Sequence, residues 1–206
     1  MEHIDWETGF VFSPQPMYMI GTNNPDGSPN FCVITWLGCS ADDGPCLVMT
    51  IGGSKLTVSN ILREGRFSAN MVTEDTLWLA DYFGTTRGEQ KKKDDLPYTV
   101  SRGRKLDVPT LDDSHWIYEC EVVRHLVLDG ANLFVAKMVN IQVDSAFQDM
   151  DREHIDLSAV CPVLYSPYQY YSVGGKLGEM GEWKQHFAGK ENVLSHVEKA
   201  VSDIQK

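Results

Sequence analysis

The chain has 206 residues, 42% of them hydrophobic and 23% charged, which is enough for one domain with a substantial core and short for two. A net charge of −11 and a pI near 4.9 argue against nucleic acid or an anionic membrane as partner. No apolar run reaches the ~20 residues that span a bilayer, and the acidic start MEHIDWETGF lacks the pattern of a signal peptide, so a cytoplasmic protein is expected.

Residues 16–22 (PMYMIGT) have strand character and run into the turn signal NPDGSP. Two further strands are expected at 30–37 and 45–51, divided by a loop, CSADDG. The period then changes. In 54–64 Leu56, Ile61 and Leu62 suit one helical face, and Gly65 stands where a C-terminal glycine belongs. Strand character returns at 66–72. Thr73 with Glu74 and Asp75 resembles a helix start, continued to Gly84 by Leu77, Trp78, Ala80 and Tyr82.

Residues 85–114 show little periodicity and are expected to form a long loop. Its basic window, Arg87 to Lys105, holds seven of the 18 lysines and arginines against three acids. A local positive field in an acidic protein suits a small anion, although composition alone favours a solvated loop. Strands at 115–128 and 132–143 follow, joined by Asp129-Gly130, a strong hairpin signal. The second strand is apolar on both faces, with Leu133, Val135 and Val139 on one and Phe134, Ala136 and Met138 on the other. That pattern suits a closed barrel, or a sheet covered by helices and a partner subunit. Tyrosines and glycines mark 160–183, and an amphipathic helix is expected at about 190–205. The sum is a single domain, 1–206, mostly antiparallel β with about three helices.

Chemical motifs are few. The five cysteines form no C-x-x-C and the six histidines no H-x-H or H-E-x-x-H, so no metal site is expected. GGSKLT, 52–57, is not a P-loop, since it lacks the upstream glycine and has Ser-Lys where Lys-Ser/Thr is needed. As a helix start it can still offer free N–H groups to an anion, or simply be capped by Ser54 or Thr57. GGKLGEMG, 174–181, follows no βαβ pattern and reads as a turn. No catalytic triad or carboxylate pair stands out, and Trp36 is by default a core residue.

Taken in order, however, the motifs resemble those of the flavin reductase-like, FMN-binding family, flavoredoxin group. They are Asp26-Gly27, Asn30 and Thr35-Trp36, then Thr57-Val58-Ser59-Asn60-Ile61, then Gly65-Arg66-Phe67-Ser68-Ala69-Asn70. Tyr82-Phe83-Gly84, Glu119-Cys120-Glu121-Val122, Leu133-Phe134-Val135 and Tyr171-Ser172-Val173-Gly174 continue the similarity over roughly residues 10–180. The resemblance implies a mainly β fold, a Greek-key split barrel with a few flanking helices. It also implies FMN at a homodimer interface. Backbone N–H groups near Ile34, Thr35 and Trp36 would meet the flavin ring, with Asn30 alongside. Ser54, Lys55 and Thr57 would receive the phosphate, Lys93 would add charge, and Tyr165 would approach the flavin.

The chain departs from the family pattern at Arg87 and Lys92, and has Ala131-Asn132 where many members carry a histidine, which reduces the role expected of Asn132. Two activities follow from the resemblance. One is hydride transfer from NAD(P)H to flavin, with no acid–base residue required of the protein. The other is a flavoredoxin-type electron carrier with redox-protein partners.

Overall fold

The computed structural model describes residues 3–5, 14–86 and 96–182. The expected basic cluster at 87–93, with Lys93, and the helix at 190–205 lie outside these residues. The chain divides into two compact units, Met1–Val173 and Gly174–Lys206, and the first carries every described strand and helix. In the second, Gly174 to Glu182 has no strand, in keeping with the turn expected for GGKLGEMG. Among the described residues no helix is long and apolar enough to cross a membrane.

The first unit is built on a seven-stranded antiparallel sheet. Its strands are β2 (Tyr18–Asn23), β3 (Pro29–Ile34), β4 (Leu37–Ala41), β5 (Pro45–Gly52), β6 (Arg66–Met71), β9 (Trp116–Leu128) and β10 (Ala131–Val143), in the order β3-β2-β6-β9-β10-β5-β4. β3 and β4 are thus the two edges of the sheet, yet only Thr35 and Trp36 separate them in sequence. The chain crosses from one edge to the other at that corner, so the sheet curls round on itself as a barrel. The corner is pinned by the Thr50 N–H donating to the Trp36 carbonyl (2.9 Å).

Alternation of side chains along β2 explains the two cores. Tyr18 and Ile20 point into the barrel with Leu47, Phe67 and Phe134. Met17 and Met19 point the other way, against Phe31, Leu79 and Phe83 beneath helix α2 (Leu77–Thr85). Helix α1 (Leu56–Glu64) plugs the barrel with Val58 and Ile61 and ends at Gly65, whose φ of 67° is the left-handed cap expected of it. β10 buries Phe134 and Ala136, whereas Ile141 and Val143, beyond the register shift between Met138 and Asn140, are exposed.

Three stretches differ from expectation. CSADDG is not all loop, because β4 runs to Ala41 and the turn is confined to Asp42-Asp43-Gly44, with positive φ at Asp43 and Gly44. Helix α2 starts at Leu77 rather than after Thr73, whose N–H is taken by the Thr76 hydroxyl (2.9 Å) and which bridges to Pro162. The segment 85–114 is not one long loop: β7 (Val100–Arg102) and β8 (Pro109–Leu111) pair within it. Local periodicity could not show this, because its anchors are distant. Ser68 donates to the Pro109 carbonyl, Leu111 N–H donates to Asn70 Oδ1 (3.0 Å), and the fully buried Glu119 carboxylate accepts from Arg104, Lys105 and Leu106 N–H. β8 crosses β2 at Gly21, where a β-carbon would lie 2.4 Å from the Pro109 carbonyl oxygen, so only glycine fits.

The remaining strands, β1 (Gln15–Pro16), β11 (Val163–Ser166) and β12 (Gln169–Ser172), form a small sheet in the order β1-β11-β12. β11 and β12 follow the one-turn helix α3 (Leu157–Val160).

Candidate functional site

Two clefts meet along the edge of β3. The first, about 430 Å³, lies between β3, the start of α1 and the end of α2, and is lined by Asn30, Cys32, Lys55, Thr57, Gly84 and Thr86 among others. The second, about 460 Å³, continues past the corner of the barrel and is lined by Thr35, Asp81 and the tyrosines 165, 168 and 170. Val33, Gly84 and Thr85 border both, so the two form one track. Each is within the size range of small-molecule sites.

The α1 end of the track is an open helix start. The N-cap residue, Lys55, makes no side-chain capping hydrogen bond, and the first turn contains no acidic residue. The N–H groups of Lys55, Leu56 and Thr57 have no intrahelical acceptor by the geometry of any helix start, and they carry the positive end of the helix dipole. Thr57 is held in place from below. Asn30 donates to its hydroxyl oxygen (2.9 Å) and also to the Thr22 hydroxyl (3.2 Å), which receives a second bond from Asn60 (3.1 Å). Since the Thr57 oxygen accepts from Asn30, its own proton is the one it has to offer. Asn60 reaches onward to Asn24 Oδ1 (3.1 Å) and accepts from Arg63 (2.9 Å). The T-x-x-N-I motif is thus a buried frame that fixes the strand to the helix.

The other end is aromatic. Tyr165 and Tyr170 lie 6.1 Å apart and tilted, the Tyr170 hydroxyl donates to Asp81 (2.5 Å), and the Tyr168 N–H donates to the Tyr165 hydroxyl (3.1 Å). Burial, then the hydrogen bond and charge of Asp81, push the Tyr170 hydroxyl up to about 12, so it is a neutral donor at physiological pH.

Of the residues singled out from the sequence, the fold brings together Asn30, Lys55 and Thr57 at one end and Thr35 and Tyr165 at the other. Ile34 points into the barrel core. Ser54 is exposed just before α1, and Trp36, expected by default to be core, is 58% exposed at the corner. Asn132 lines neither cleft and bonds to His125 (2.9 Å) on the neighbouring strand, where His125 stacks on Phe134. Sequence reasoning named Phe83 and Gly84 only as part of a motif, and did not single out Thr85, Thr86 or the Tyr168–Tyr170–Asp81 group as lining. The small Gly84-Thr85-Thr86 run closing an apolar helix was the available signal for the first. The second has only the richness in tyrosine, because Asp81 is 89 positions away from Tyr170.

A sequence profile described as the flavin reductase-like domain matches residues 11–174, and the chain belongs to that family. Its fold is that of solved split-barrel proteins. It matches the flavoredoxin of Methanosarcina acetivorans with a TM-score of 0.78 and 23% identity, over 88% of this chain and 97% of that one. It matches the flavoredoxin of Desulfovibrio vulgaris (Miyazaki F) with a TM-score of 0.77 and 22% identity, over 88% and 98%. An uncharacterized protein of Archaeoglobus fulgidus is 28% identical over 125 residues, 59% of this chain and 69% of that protein.

Proposed function

We propose that the chain binds FMN along the track on β3 and works as a homodimeric flavin reductase, with NAD(P)H as the source of electrons. The observation that carries this reading is the uncapped α1 start opening onto a cleft that runs on to an aromatic end at Thr35 and Tyr165. The residues fit the cofactor's parts. Lys55, Thr57 and the first-turn N–H groups suit the phosphate, with Ser54 exposed just before the helix; Lys93, which lies outside the described residues, adds charge by the family resemblance. Asn30 is the positioning residue for Thr57. Polar groups at Thr85 and Thr86 flank the middle, and Thr35, Tyr165 and the exposed Trp36 bound the ring end.

FMN, when bound, supplies the electron-accepting ring. The chain's residues bind and orient it, and the apolar packing of Val33 and Phe83 beneath keeps that face of the track dry. In the second reading the chain is an electron carrier that receives electrons from a redox protein, in line with the flavoredoxins whose fold it shares.

Anaerobic addition of NADH or NADPH to the FMN-loaded protein separates the two. Rapid bleaching of the flavin absorbance is the expected result. Bleaching by dithionite or a reduced protein donor alone contradicts the reductase and supports the carrier.

A further inference from the structure

Ile141 and Val143 near the end of β10, and Ile155 beyond it, are large apolar residues left 47%, 39% and 39% exposed. They do not lie on open surface. With Trp116, the cross-strand partner of Val143, and with Phe147 and Met150 they line a cavity of about 540 Å³. That volume is within the range of small-molecule sites. The cavity shares no lining residue with the two clefts along β3.

Its walls are held by hydrogen bonds. The segment after β10 folds as consecutive turns, with the Phe147 N–H on the Asp144 carbonyl (2.9 Å) and the Met150 N–H on the Phe147 carbonyl (3.0 Å). The Phe147 ring meets the His115 ring edge-on at 5.7 Å, and Asp144 and Asp75 hold His115 at both nitrogens. The buried Glu119 fixes two polar members of the lining. It accepts from the Arg104 N–H (2.8 Å), between β7 and β8, and from the Gln142 amide (3.0 Å).

Charge then narrows what the cavity can take. Its two carboxylates are engaged at both oxygens. Asp144 meets the Ala146 N–H (2.8 Å) and His115 (2.8 Å), and Asp151 meets the Glu153 N–H (2.9 Å) and His154 (2.8 Å). Among the described residues, the charged groups of the lining left with donors to offer are the exposed guanidiniums of Arg104 and Arg152. Each presents a planar fork of N–H groups that matches a carboxylate. In a chain of net charge −11, two arginines beside an apolar floor are a local exception that suits an anion with an apolar body.

We propose that this cavity is a second ligand site, separate from the flavin track, that takes a small carboxylate with an apolar body. The carboxylate is held at the Arg104 and Arg152 rim, and the body rests on Trp116, Ile141 and Val143. The proposal does not depend on the FMN reading.

3-Phenylpropionate is the probe, with 3-phenylpropionamide as its uncharged counterpart and acetate as the anion without a body. Calorimetric titration into the wild-type protein is expected to give a Kd below about 1 mM for 3-phenylpropionate, at least about tenfold weaker binding of the amide, and no saturation by acetate. Arg104→Gln and Arg152→Gln are each expected to weaken 3-phenylpropionate about three- to tenfold. Ile141→Asp, which sets a carboxylate on the floor, is expected to abolish its binding. All three residues are exposed, so thermal midpoints should stay within a few degrees of the wild type, and the FMN titration of each variant should match it. No heat from 3-phenylpropionate up to about 10 mM, equal binding of the acid and the amide, or unchanged affinity when both arginines are replaced overturns the proposal. So does dissociation of a dimer in Ile141→Asp by light scattering, which would mark this face as a contact between copies.

Discussion

Glu119 shows how much a single buried charge can organise. Its carboxylate accepts three backbone N–H bonds from Arg104 to Leu106 and two amide bonds, from Asn140 (2.7 Å) and Gln142 (3.0 Å). Burial works to raise its pKa, but the bond from Asn140 and those from the Leu106, Lys105 and Arg104 backbone prevail and hold it below the usual carboxylate range. Its contribution is therefore complete above the ordinary glutamate pKa and is lost as pH falls through the depressed one. Glu119→Gln replaces an acceptor with a donor against this nest and should lower stability by about 2–4 kcal/mol, read from urea unfolding midpoints; a change under about 0.5 kcal/mol would contradict the role.

His115 is the opposite case. It bridges Asp144 (2.8 Å) and Asp75 (2.9 Å). Burial works to lower its pKa, but the bonds to Asp144 and Asp75, with their charges, raise it above the usual histidine value. Its stabilising contribution is full below about pH 6.5 and disappears as pH rises through the raised value. The wild type should therefore lose stability on the alkaline side of that window, and His115→Gln should flatten the loss. An identical pH profile in the two proteins would show that the bridge contributes nothing.

At the scale of elements, the start of α1 is where the proposed phosphate site rests on the fold. Lys55 is exposed, so Lys55→Glu should leave the thermal midpoint within a degree or two while weakening FMN by about tenfold, through reversal of charge at the helix start. Thr57→Val, which keeps shape and removes the hydroxyl, should weaken FMN to a similar extent. Fluorescence titration checks both, and unchanged affinity in the pair would remove the phosphate from this helix.

Much of this level was legible in the sequence, because its causes are local. The 3.6 period with Gly65 marked α1, and Asp129-Gly130 marked the β9–β10 turn. Asn60 and Asn70 were visible as motif residues but not as frames, since their partners lie on other strands. Asn70 holds the Met19 carbonyl (2.8 Å) and the Leu111 N–H. β7 and β8 were illegible for the same reason, as their anchors Ser68, Asn70 and Glu119 are distant in sequence. The positive φ of Tyr168, 64°, was hidden differently: Pro-Tyr is an ordinary dipeptide, and only the two-residue register of β11 and β12 makes it costly.

For the whole molecule, closure of the sheet at Thr35-Trp36 leaves one edge open. β6 pairs with β9 only from Ile117 to Glu121, so from Val123 to Leu128 the outer edge of β9 has no strand partner among the described residues. Val123, Leu126, Val127 and Leu128 are all exposed there, Val127 to 78%. An open apolar edge is a template for association, and the proposed homodimer would cover it. Leu126→Glu with Val127→Glu should turn a dimer into a monomer by light scattering after gel filtration; a wild type that is monomeric at micromolar concentration would contradict the dimer.

Titration of FMN into the purified, flavin-stripped protein, followed by flavin fluorescence, tests whether the track from α1 to Tyr165 is a flavin site. Saturable quenching at one FMN per chain is expected, with a red shift in the visible spectrum and weakened binding in Lys55→Glu. Fluorescence that stays that of free FMN at every protein concentration would contradict it.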